Sequence, residues 1–194
     1  MRRRRAKRAQ EDERVLRLAQ LRLAVRVARE DLVVLAQRLD DCPPWLTGGA
    51  VDEWKLAAGR YAAARAGLAR TTSLADAMHV HTELREAWFH LARSDAFAFG
   101  EAPPASSEPC FFDPRHGPAA VDVAWPGAGV VRACRDDADR VAAGFAPRRR
   151  LLTLTAVTDP TDVSAWQRLM AAHARGSGYA LGALYAGRPD PLLV

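Results

Sequence analysis

The sequence predicts an α+β protein, with an N-terminal antiparallel bundle of three helices followed by a small module of strands and short helices. Three observations predict it. Apolar residues recur at helical spacing through the N-terminal half, and a run rich in Pro, Ser and Gly, "GEAPPASSEP" at 100–109, then interrupts the chain. Beyond that run, short β-type segments alternate with turn residues. With 194 residues, 49% of them hydrophobic, the chain can bury a core as one domain or as two small ones joined by a linker.

Charge sets the first residues apart. The formal charge is +5, and six positive charges sit at Arg2, Arg3, Arg4, Arg5, Lys7 and Arg8; without them the chain carries −1. Residues 1–10 therefore read as a basic disordered tail on a near-neutral body, and a nucleic-acid footprint spread over a folded face is not supported. The chain has no Ile and no Asn, and only two Lys (Lys7 and Lys55). Those are residues with AT-rich codons, so the preference for Arg reads as a high-GC bacterial genome, not as a functional signal. No run approaches the ~18 apolar residues that span a bilayer, and no apolar signal region follows the Arg-rich start. The expectation is a cytoplasmic protein without a transmembrane segment.

Residues 11–99 should form the bundle. Leu18, Leu21, Val25, Ala28, Leu32, Leu35 and Leu39 alternate at spacings of three and four, a single seam along a helix from 11 to about 41. Val33 and Val34 broaden the seam, which favours burial between two neighbouring helices over a two-stranded coil. "DDCPPWLTGG" ends the helix, because Pro43 and Pro44 cannot continue its hydrogen bonds. A second helix runs from about 51 to 69 with Val51, Trp54, Ala58, Tyr61 and Leu68 on one side. The third follows the cap formed by Ser73 and Asp76 and continues to about 97, with Leu74, Met78, His81, Leu84, Trp88 and Leu91 inward.

After the linker at 100–109, residues 110–194 carry a different pattern. "AVDVAW" and "VVRAC" flank "PGAG" as two strands and a tight connection, and "CRDDADRVAAG" reads as a short helix with an acidic first turn and a Gly stop. "LLTLTAV" alternates like a strand, and "DPTDVSAWQRLMAAHARG" is a last amphipathic helix.

The chemistry concentrates in "PCFFDPRHGP" and "ACRDDADR". Cys110 and His116 flank a turn set by Pro114 and Gly117, while Cys134 and Asp137 stand three apart on one face at a helix start. A loop pair, a hairpin and a helix-start pair are the parts of a treble-clef zinc site, and thiolate, imidazole and carboxylate all serve zinc. Asp113 and Asp136 compete with Asp137 for the fourth position. The alternative is that both cysteines are small buried hydrophobes and His116 is a turn residue bonded to backbone. Cys42, the third cysteine, has no His or Cys nearby, and an odd count argues against a disulfide framework.

The segment from "PCFFDPRHGPAAVDVAW" to "CRDDADRVAAG" resembles a set of uncharacterised, largely actinobacterial proteins with a CFF[DN]PxHGP motif, a Trp-containing hairpin, then Cys-x-x-Cys or Cys-x-x-Asp and a short helix. The match covers about 35 residues, and a helical region precedes the motif in those proteins too. The resemblance implies metal ligands at Cys110, His116, Cys134 and Asp137 and implies no activity. The relatives end in an aromatic "YWxAGPxY" segment, where this chain has "SAWQRLMAAHARGSGY".

Enzyme signatures are missing. The His-x-Glu and Pro-Cys-x-x-Cys of zinc deaminases, the two-His helix of metallopeptidases and a phosphate-binding Gly-rich loop do not occur. His79 with Glu83 and Glu86 with His90 have metal-compatible helical spacing, but such pairs are ordinarily surface hydrogen bonds. The reading is a non-enzymatic interaction or scaffold protein with a structural zinc, whose partner is another protein or a second copy, engaged through the helical seam. The alternatives are a nucleic-acid or anionic-surface protein acting through residues 1–8 and, more remotely, a zinc-dependent hydrolase with Asp136 or Asp137 as base.

Overall fold

The computed structural model describes residues 2–40, 44–126 and 128–148. Cys42 and the expected strand and helix after residue 150 lie outside them. Among the described residues there are four α-helices and one two-stranded antiparallel hairpin: α1 (Arg2–Asp40), α2 (Gly49–Ala69), α3 (Leu74–Phe99), β1 (Val121–Trp125), β2 (Gly129–Ala133) and α4 (Arg135–Ala142), with a single 3-10 turn at Pro114–His116. The protein is thus α+β and mostly helical. None of these helices is long and apolar enough to cross a membrane.

α1 begins at Arg2, which corrects the expectation of a disordered tail at residues 1–10. Arg, Ala, Lys, Gln and Glu are all good helix formers, and nothing between Arg2 and Asp40 breaks the ladder. Glu11 with Arg14 at 2.7 Å and Glu13 with Arg17 add exposed side-chain pairs one turn apart. Every side chain described before Ala19 is exposed.

The core forms further along α1. Ala28, Leu32, Leu35 and Leu39 are buried against Ala57 and Ala64 of α2 and against Val80, Leu84, Ala87, Trp88 and Leu91 of α3. Leu18, Leu21 and Val25 do not share that burial, and Leu18 is 45% exposed. A strict heptad seam drifts ~20° per heptad around a straight helix, so the buried stripe passes instead through Ala19, Leu23, Ala24 and Val27. Val33, expected to widen the seam, faces outward.

Polar contacts show the helix directions. His81 of α3 donates from Nε2 to the Ala24 carbonyl at 3.0 Å, and Arg38 meets Asp95 at 2.9 Å, so α1 and α3 run the same way. Ser94 donates to the Ala50 carbonyl at 2.8 Å and Arg60 to Glu83 at 3.1 Å, so α2 runs opposite to α3. Small residues let α2 and α3 approach closely: a Cβ added at Gly67 would stand 3.1 Å from the Val80 side chain. Ser73 caps α3 in a reciprocal pair with Asp76, and left-handed Gly100 ends it.

The chain then turns back along α3, where Arg93 donates to the Pro104 carbonyl at 3.4 Å. β1 and β2 pair from Val121 opposite Ala133 to Trp125 opposite Gly129. Alternation buries Val123 and Val131 in a second core with Cys110, Phe112, Ala133, Cys134 and Ala138. Phe112 packs edge-on against Trp125 with ring centroids 5.0 Å apart. This core is small, and the two cysteines are part of it.

Candidate metal centre

Each side chain of the cysteine-histidine cluster is placed by a short local device. Asp113 accepts the Arg115 backbone N–H at 3.0 Å and so starts the 3-10 turn that carries His116. Gly117 follows at φ 87°, a conformation that glycine adopts without strain. Its carbonyl accepts the Cys110 N–H at 3.0 Å, closing the turn so that Cys110 and His116 face the same space. On the other side β2 delivers Cys134, the residue before α4, and the first turn of α4 brings Asp137 over it.

The four ligand atoms lie within 4.8 Å of one another, and among the described residues this is the one cluster of three or more such groups that can hold a metal ion. Asp137 is its hub and is fully buried. His116 Nδ1 donates to Asp137 Oδ2 at 2.7 Å, and the sulfurs of Cys110 and Cys134 stand 3.4 and 3.3 Å from that same oxygen. The Cys134 sulfur is 4.0 Å from His116 Nδ1. Asp137 Oδ1 points away from the cluster and accepts the Arg148 backbone N–H at 2.8 Å, which pins the carboxylate.

Protons are unevenly shared. The hydrogen bond from Cys134 holds Cys110 down to about 5 against the opposing effect of burial, with His116 and the Cys134 and Asp113 backbone N–H groups helping. Cys134, donating to Cys110 and buried, is pushed far above the usual thiol value, although the Asp137 N–H at the start of α4 works the other way. Two thiolates this close repel, so one sulfur keeps its proton. The bond to Cys110 raises His116 despite its partial burial, and Asp137 assists. Burial works against the Asp137 charge, but the Arg148 N–H and His116 outweigh it and hold the carboxyl below its usual range. An anionic sulfur at Cys110 and an anionic carboxylate at Asp137 thus lie together in a cluster that could hold a metal ion.

The rival carboxylates take other positions. Asp113 is buried in a pair with Arg115, and its Oδ2 lies 3.9 Å from His116 Nε2, the nitrogen on the far side of the ring from the cluster. Asp136 is exposed and pairs with the Arg148 side chain. The helical pairs are also resolved: His90 bonds Glu53 across the helices at 2.7 Å, His79 sits 3.8 Å from Glu83, and His81 is buried on the Ala24 carbonyl. Arg148 was invisible to sequence reasoning, because its backbone N–H, not its side chain, does the work.

A groove of about 800 Å³ runs beside the cluster between the end of α3 and the module. Phe99, Pro104, His116, Cys134, Arg135 and Arg148 are among the residues that line it. Comparison with protein-family models, curated proteins and solved structures finds no match.

Proposed function

We propose that the protein is a non-enzymatic interaction or scaffold protein in which a zinc ion holds a treble-clef-like module against an antiparallel three-helix bundle. The observation that carries the reading is the convergence of Cys110, His116, Cys134 and Asp137 within 4.8 Å. Around a tetrahedral zinc with bonds of about 2.0–2.3 Å, neighbouring ligand atoms stand about 3.3–3.8 Å apart. The sulfur–oxygen separations of 3.3 and 3.4 Å fit this, while the 2.7 Å His116–Asp137 contact would have to widen by about 0.6 Å to take the ion.

The likeness to the CFF[DN]PxHGP proteins points to the same four ligands. Elemental analysis of protein purified reduced and without chelator should find about one zinc per chain, and Cys110→Ser should lose it; metal-free native protein refutes the reading.

One observation favours a second reading. α1 starts in the basic run, and Lys7, the side chain described among residues 2–8, is exposed, as are those described from Gln10 to Leu18. Neutralising about six phosphates gives a salt slope near −5 on duplex DNA. Deleting residues 1–8 should abolish such binding and leave the fold intact; sequence-selective binding that survives the deletion would place nucleic acid first.

A further inference from the structure

We propose that the metal centre is a thiol-based redox switch: oxidation joins Cys110 and Cys134 in a disulfide and expels the ion. The inference rests on the metal reading above and adds the regulation of that site. Cys110 and Cys134 supply two of the four ligand atoms, and their sulfurs lie within 4.8 Å of each other. A disulfide requires closure to about 2.05 Å. The backbones on either side are already tied together, since the Phe111 N–H donates to the Arg132 carbonyl at 2.9 Å and Cys110 is anchored on Gly117. Side-chain rotation is the movement left to make.

Access sets the order of events. Cys134, 8% exposed, lines the open groove, whereas Cys110 is 1% exposed. In the zinc-loaded protein both sulfurs are thiolates, the Cys134 proton having been displaced on loading. With hydrogen peroxide as oxidant, the Cys134 thiolate attacks one peroxide oxygen; the S–O bond forms, the O–O bond breaks, and hydroxide leaves and is protonated to water. The Cys110 thiolate then attacks the Cys134 sulfenic sulfur, forming S–S and releasing a second hydroxide, also protonated to water. Two sulfurs give up two electrons, peroxide takes both, and two protons are consumed.

The product cannot keep the ion. A disulfide is not a thiolate ligand, and His116 with Asp137 leaves only two donors. Those two lie 2.7 Å apart, so they can hydrogen-bond to each other once the ion has left. The disulfide would also bridge the same two points of the chain that the metal joins, the turn before β1 and the start of α4, so the module stays tied while the ion leaves.

The test uses full-length, zinc-loaded protein carrying Cys42→Ser, which leaves Cys110 and Cys134 as its cysteines. Hydrogen peroxide is added in increments, free zinc is read with a chromophoric chelator, and the cross-link is read by non-reducing peptide mapping. About one zinc should leave for each Cys110–Cys134 disulfide formed, and dithiothreitol with added zinc should restore the loaded state. Cys134→His keeps a nitrogen ligand but cannot form the disulfide, so it should bind zinc and hold it through the same titration. Zinc retained while the disulfide forms, or zinc lost to sulfinate at one cysteine without a cross-link, overturns the switch and leaves the metal reading standing. Reduced protein that binds no zinc overturns the metal reading itself, a different and separately visible failure.

Discussion

Replacing Asp137 by Ala should weaken zinc binding more than any other single-carboxylate change in the module. The side chain is fully buried and does two things at once: Oδ2 faces the cluster and Oδ1 holds the Arg148 N–H at 2.8 Å. A structural zinc contributes about 10–16 kcal/mol at neutral pH, so losing one ligand of four removes about 3 kcal/mol, on the order of a hundredfold in Kd. The orphaned Arg148 N–H adds about 1–3 kcal/mol to the destabilisation of the module. Competition with a chromophoric chelator measures the first effect, and amide exchange at Arg148 reports the second. Asp136→Ala, at an exposed position, serves as the control and should leave affinity within about threefold. An Asp137→Ala protein that binds zinc as tightly as the parent, or an Asp136→Ala protein that loses it, would refute the assignment of the fourth ligand.

Two further outcomes follow from the same geometry. Zinc affinity should rise with pH, because loading displaces the proton held by Cys134 and, below the raised pKa of His116, a second one from the imidazole. The gain is up to about a hundredfold per pH unit while both protons are present and about tenfold once His116 has lost its own; calorimetry in buffers of different ionisation enthalpy counts them, and a pH-independent Kd contradicts the proton assignment. In the helical half, Leu84→Ala empties a fully buried position and should cost about 2–5 kcal/mol in thermal or denaturant melts while zinc stoichiometry stays unchanged; metal loss in this variant would mean that the two cores unfold as one.

Much of this protein is legible along the chain because the signals are local. Periodicity and caps placed α2, α3, the hairpin and α4 to within a few residues, since Ser73 with Asp76, Gly144 and the alternation around Val123 and Val131 act on neighbours. The spacing of Cys110, His116, Cys134 and Asp137 likewise marked the side chains that come together, because a turn and a first helical turn each hold two residues on one side. Tertiary structure decided what depends on distant partners. Which face of α1 is buried turned on where α2 and α3 lie, so Leu18 and Val33 remain exposed while Ala24 and Val27 are buried. Spacing favoured Asp137 but left Asp113 and Asp136 as competitors, and packing separates them: Arg115 engages Asp113, the Arg148 side chain engages Asp136, and the Arg148 backbone turns Asp137 toward the sulfurs. A backbone N–H leaves no mark in residue identity, so that last contact could be found only once the chain was folded.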